Sequence, residues 1–251
     1  MAPKLKLGIT LFLLGMIGVL SMLTIQLPAD AIPPEITSRF SPSAIRLLIL
    51  MNPTMLLLIS VATGTLLHEK AGLKVPTISG LLRLEKPDLT FSDQLKSGVI
   101  TGLAAGTLIT FLAIAIQAIT PDEFSELSQS MKITAFARFA YGGITEEILL
   151  RYGVMTFIVW VIFRIRGKLS NSTYVTGIIL AALLFAIGHF PAVFQAIPNP
   201  SSMLMIYILT GNAIAGIAFG WMYWKKGLEA AFIAHIFAHV AMIIGENLTG
   251  V

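Results

Sequence analysis

Six ionisable side chains stand inside long apolar runs of the sequence. Glu146, Glu147 and Arg151 lie within Tyr141-Gly142-Gly143-Ile144-Thr145-Glu146-Glu147-Ile148-Leu149-Leu150-Arg151; His189 follows Phe185 by four residues, and His235 precedes His239 by four. A charge at a bilayer centre costs at least about 2.5–3.5 kcal/mol on insertion scales, so ionisable groups kept there are candidates for function. Helical spacing sorts them. Glu147 and Arg151 share a face as i, i+4, with the glutamate on the favoured N-terminal side, and read as an internal salt bridge. Glu146 lies about 100° round the helix and is left unpaired, which suits a general base. Its plainer reading is a carboxylate hydrogen-bonded to a neighbouring helix. His189 alone reads as readily as a satisfied core residue. His235 and His239 have the spacing of the two Zn²⁺-binding histidines of H-E-x-x-H, but no glutamate follows His235, so that motif is absent. Taken together, a carboxylate able to activate water and histidines from two other segments make a hydrolytic constellation. A proton relay in a transporter draws on the same residue types.

The elements that must position these groups are membrane helices. The 251 residues are 56% hydrophobic and 12% charged, against about 25% charged in soluble domains. Mean hydropathy is +0.85. That excludes an ordinary soluble globule and intrinsic disorder. With no cysteine, disulfide scaffolds, thiolate metal sites and cysteine nucleophiles are excluded too. Seven stretches reach the roughly 20 apolar residues a crossing needs: about 8–27, 44–67, 97–120, 133–163, 174–196, 203–224 and 227–247. The expected fold is all-α, a polytopic integral membrane bundle of seven to eight transmembrane helices in one domain, 1–251. The eighth crossing would come from a break at Gly142-Gly143, since glycine disfavours helix continuation.

The first stretch also resembles a signal peptide, with Ala29-Asp30-Ala31 as a cleavage site, but its apolar run exceeds the usual 7–15 residues and favours a retained helix. Lys4 and Lys6, the loop 68–96, Arg164, Arg166 and Lys168, and Lys225 and Lys226 alternate along seven crossings and fall on one side. This places the N-terminus in the cytoplasm and explains the net charge of +4 by basic loops, with no nucleic-acid partner. The loop 68–96 reads as a solvated surface with a short amphipathic helix, and His68 as an interfacial histidine. At 1.5 Å per residue Glu146 lies about 27 Å from Arg164 and His235 only about 13 Å from Lys226, a mismatch in depth. An opening on the basic, cytoplasmic side is the expectation.

These motifs resemble the CAAX protease and bacteriocin-processing (CPBP, or Abi) family of intramembrane endopeptidases. The family pattern is Glu-Glu-x-x-x-Arg, then Phe-x-x-x-His, then His-x-x-x-Asn or Asp. Here these are Glu146 to Arg151, Phe185 to His189, and His235 to His239; Gly227-Leu228-Glu229-Ala230-Ala231 also looks like family sequence. The resemblance covers about residues 130–245, the expected catalytic core. It implies a peptide hydrolase in which Glu146 activates water and His189 positions it or shuttles protons. His235 and His239 would stabilise the oxyanion, while Glu147 and Arg151 shape the site. The family includes CAAX prenyl proteases, which cleave C-terminal tripeptides from prenylated proteins. The implied partners are therefore a membrane-associated protein or peptide, prenylated or not, and the lipid bilayer. The short loops and compact length point to a prokaryotic plasma membrane. His239 departs from the pattern and leaves open retained activity, a third imidazole for a divalent metal such as Zn²⁺, or lost catalysis. The competing classes are a non-catalytic immunity or scaffold protein and a proton-coupled transporter.

Overall fold

A computed structural model describes residues 2–25, 37–86, 88–130 and 133–250. Ala29 to Ala31, Pro87 and Lys132 lie outside the described residues. In chain order the helices are α1 (Pro3–Ser21, continued by a 3-10 turn Met22–Thr24), α2 (Pro42–Leu67), α3 (Pro76–Leu81), α4 (Phe91–Ile119), α5 (Pro121–Ser130), α6 (Ala135–Arg166), α7 (Asn171–Gly188), α8 (Phe190–Ala196), α9 (Ser202–Lys226) and α10 (Leu228–Thr249). The described residues contain no strand. Seven helical segments among them are long and apolar enough to cross a membrane, with α7 and α8 counted as one. The chain is an integral membrane protein of all-helical fold.

Local chemistry sets the helix ends. Ser41, Thr90, Thr134, Ser170 and Ser201 each accept a backbone N–H from the first turn of the helix they precede, satisfying a donor that has no intrahelical partner. Gly227, at φ +91°, makes the sharp reversal between α9 and α10, and a Cβ there would lie 2.5 Å from the Pro76 ring. Large apolar side chains remain on the outer surface, among them Ile100 and Phe111 at 69% and 64% exposure. That is the expected pattern for a surface facing lipid.

Close packing comes from small residues. Gly98, Gly102 and Gly106 recur every fourth residue on α4. They lie against the backbone carbonyls of Ala230, Ala234 and Ala238 on α10, where a Cβ on Gly102 would come within 2.2 Å of the Ala234 oxygen. Membrane helices gain little from hydrophobic burial against lipid, so this backbone-to-backbone approach supplies the dispersion contact instead. It fixes α10, which carries both C-terminal histidines.

Several expectations change. α6 runs unbroken through Gly142-Gly143, so there is no eighth crossing among the described residues. Much of it is π-helical instead, over Arg138–Glu146 and Ile148–Met155. The glycines here admit neighbours: Cβ atoms at 142, 143 and 153 would meet His239, Ile236 and Ser60. π-Helical turns are often found at functional sites. The stretch 174–196 is bent, α7 ending at Gly188 and α8 restarting at Phe190. Pro191 lacks the N–H a continuous helix would need there. The short helix in the loop 68–96 is α3, whose Pro76 and Ser79 are buried. His68, at the end of α2, is 3% exposed, with its Nδ1 3.1 Å from the Leu73 carbonyl.

At the basic end the segment after α2 packs against the start of α10, with the Leu228 N–H donating to the Lys74 carbonyl, while Ile165 near the end of α6 is 80% exposed.

Candidate active site

Three membrane segments deliver the six side chains. In α6, Glu146 ends the first π-helical run, Glu147 stands between the two runs and Arg151 lies in the second. His189 sits at the α7–α8 bend and α10 supplies His235 and His239. Phe219 of α9 closes the group, stacked on His235 at 4.5 Å between ring centroids. The Thr145 hydroxyl donates to the Gly15 carbonyl at 2.7 Å, tying this stretch to α1.

Glu147 is the hub. It is fully buried; one oxygen lies 2.9 Å from His235 Nδ1 and the other 3.1 Å from Arg151 Nε. The i, i+4 ion pair read from the sequence is therefore present, extended by a histidine from another helix. Arg151 is also fully buried, its Nε, Nη1 and Nη2 atoms finding no hydrogen-bond partner among the described residues. Its guanidinium carbon instead stands 5.1 Å from the centre of the Phe185 ring and 5.9 Å from that of Phe219. Cation–π attraction offsets part of the desolvation there.

Among the described residues Glu146 makes no hydrogen bond to a neighbouring helix. Its nearest charged partner is His235 Nε2 at 4.0 Å, and its side chain is 20% exposed. It lines a cavity of about 470 Å3 together with Tyr141, Gly142, His189, His235 and His239. His189 is oriented by its Nδ1, 2.9 Å from the Phe185 carbonyl, and lies edge-on to the Phe185 ring at 4.7 Å. His235 and His239 stack at 4.9 Å and 22°. Both turn Nε2 toward Gly142, where a Cβ would lie 2.6 Å from that of His239 and 3.6 Å from that of His235. Glycine at 142 is what lets two imidazole edges reach the same wall.

The donor set does not suit a resident metal ion. Nitrogen lone pairs lie in the ring plane, so stacked imidazoles aim them side by side, whereas tetrahedral Zn²⁺ needs them converging at about 2.0–2.1 Å. His235 Nδ1 is engaged by Glu147. The described residues contain no group of three or more histidine, aspartate or glutamate side chains arranged to hold a metal.

The cavity corrects the expected side of opening. It is lined by Met22 and Ile25 after α1, Ala137 near the start of α6, Val193 of α8, Tyr207 of α9 and Met242 of α10. All of these lie toward the end remote from the lysine-rich turns. At the basic end α3 and α4 are joined to the start of α10 by the polar contacts around Glu229. Sequence reasoning missed Arg138, which lines the cavity and pairs with Glu246 at 2.6 Å. The available signal was a charge at the head of the same apolar run, eight residues before Glu146.

Residues 128–241 match the family model of the Rce1-like type II CAAX prenyl endopeptidases. No curated protein and no solved structure matches the chain. The chain thus carries an Rce1-like CAAX prenyl endopeptidase domain over those residues.

Proposed function

With that domain as the premise, we propose that the chain is an intramembrane endopeptidase that hydrolyses a peptide bond with a water activated by Glu146. The observation that carries this reading is the convergence of the Glu146 carboxylate and the Nε2 edges of His235 and His239 on one cavity wall over Gly142.

In this mechanism Glu146 takes a proton from water, and the hydroxide adds to the scissile carbonyl. His189 holds the water in line. The oxyanion forms beside Gly142, where His235 and His239 donate from Nε2; fixed donors aimed at developing charge are the largest single source of rate in acyl transfer. Glu146 returns the proton to the leaving amine as the C–N bond breaks. Glu147 accepts a hydrogen bond from His235 Nδ1–H and fixes its ring, which donates from both nitrogens as the imidazolium, and Arg151 pairs with the Glu147 carboxylate. His239 Nδ1 has no hydrogen-bond partner among the described residues, so the proton is better placed on Nε2, the donor the reaction needs.

The substrate is a membrane-anchored peptide. Basic loops mark the cytoplasmic face, so a cavity reaching the opposite end takes its substrate from the non-cytoplasmic face. A prenyl group is one lipid anchor such a substrate can carry.

The test is cleavage of prenylated and unprenylated peptides by the purified protein in detergent, wild type beside Glu146→Gln, with and without chelator. Cleavage that disappears in the variant and survives the chelator supports the mechanism. Equal cleavage by both proteins would remove Glu146 from it. A non-catalytic protein, one of the readings that His239 leaves open, predicts no cleavage by either.

A further inference from the structure

The basic end of α9 carries a cluster of rings and cations that the reaction at Glu146 does not use. Trp224 stacks on Tyr174 of α7, with ring centres 4.8 Å apart and planes at 17°, and meets Trp221 edge-on at 5.0 Å. The Tyr174 hydroxyl donates to the Ala71 carbonyl at 3.1 Å and fixes the stack. Lys225 lies over both indoles, its Nζ 3.3 Å from the centre of the Trp224 ring and 5.3 Å from that of Trp221. Cation–π attraction holds the ammonium in place. An ammonium has three N–H donors and the rings cover one side of it, so donors remain for an anion.

Charge is unbalanced at this end. Among the described residues Lys225 and Lys226 make no ion pair, nor do Arg166 and Lys168 at the turn into α7. Arg166 reaches back to that helix, its Nη1 3.4 Å from Ser172 Oγ. The acids of the loop 68–96 are mostly taken. Glu69 and Asp88 are held by Lys4 and Lys74, and Asp93 accepts from the Thr90 hydroxyl, which leaves Glu85. Four cations thus stand against one carboxylate.

Ile217, Trp221 and Lys225 recur every fourth residue on one face of α9, and all three are exposed. An apolar side chain, an indole with its N–H and then an ammonium follow the order of acyl chain, ester and phosphate in a lipid. We propose that this face binds an anionic phospholipid of the cytoplasmic leaflet, its phosphate on Lys225 and a chain along Ile217. A zwitterionic headgroup would add an ammonium to a surface already rich in unmatched cations. A free phosphate would leave the face of Ile217 and Trp221 uncovered. Because the rings already hold the ammonium, little ordering remains to oppose binding.

Lipid contact is read from tryptophan fluorescence, with no need for turnover. The chain has three tryptophans, so Trp160→Phe leaves the pair on α9. That protein is placed in phosphatidylcholine bilayers in which brominated phosphatidylglycerol or brominated phosphatidylcholine replaces part of the lipid, and quenching gives their relative affinity. The expected preference for the anionic lipid is at least about fivefold, the worth of one cation at such a surface. Lys225→Arg keeps it, and Lys225→Gln lowers it about fivefold. Lys70→Gln removes an equal charge from an exposed lysine of the loop 68–96 and leaves the preference unchanged. Equal quenching by the two lipids overturns the proposal. An equal loss with Lys70→Gln also overturns it, by reducing the effect to overall surface charge. A preference that disappears on adding soluble glycerol phosphate gives the site to a free anion and removes the lipid assignment.

Discussion

Two buried acidic centres border α10 and are built to opposite rules. Near its start, Glu229 accepts the Ile78 N–H at 2.7 Å and the Gln94 amide at 3.1 Å, and the same amide donates to the Lys226 carbonyl at 2.8 Å. Thr77 completes the knot by donating to Gln94. Two turns on, the cluster of Glu147, Arg151, His235 and His239 leaves the three guanidinium nitrogens and one imidazole nitrogen without a hydrogen-bond partner. Buried polar groups are nearly always paired, so unpaired ones call for an explanation. The knot satisfies its groups and ties α3 and α4 to the start of α10. The open cluster borders a cavity and keeps donors and charge where a reaction can use them.

Perturbing each centre in turn tests that division. The largest effect is expected from Glu146→Gln. General-base catalysis is worth about 10²–10⁴ in rate, so kcat falls by that order while the melting temperature stays at the wild-type value. A matching loss of thermal stability would make Glu146 part of the packing, like Glu229. Arg151→Met comes next, because it strands the Glu147 charge in the core; breaking a buried pair costs about 3–5 kcal/mol. The double variant Glu147→Gln/Arg151→Met recovers much of that stability but not the activity, since His235 loses its orienting carboxylate. Recovery of both would show that the pair serves folding alone.

Glu229→Ala reverses the pattern. Leaving Ile78 and Gln94 without their acceptor costs about 1–3 kcal/mol, read as a lower melting temperature in detergent with unchanged kcat per folded molecule. A collapse of kcat at full stability would join the two centres into one. His239→Asn keeps a side-chain donor and holds kcat within about tenfold of wild type, whereas His239→Ala loses about 10²–10³, the usual value of one oxyanion donor.

The smallest expected effect lies at the basic end. Burial holds the pKa of His68 below the ordinary histidine value of 6.5. Between those two values the unfolded chain binds more protons, so the stability contribution is full above 6.5 and lost as pH falls. The melting temperature of the wild type therefore drops more between about pH 7.5 and about pH 5 than that of His68→Phe. Equal slopes would show that His68 titrates alike folded and unfolded.

The helical membrane fold and the chemical cast were legible in the sequence. Crossing a bilayer demands long apolar runs whatever their partners, and charges inside those runs stand out for the same reason. The i, i+4 rule paired Glu147 with Arg151 because that contact is local to one helix. The rest depends on contacts between helices. Whether Gly142-Gly143 breaks α6 or widens it into π-helical turns depends on the α10 side chains packed against them. Glu147 meeting His235, the stacking of the two α10 histidines, and a cavity reaching the lysine-poor end follow from how deep α10 sits on α4 and over α3. Arg138 became a candidate only when Glu246, 108 residues away, closed on it across the cavity wall. Spacing along one helix fixes which residues share a face. Only the packing of helices fixes which faces meet, and the site is made where they do.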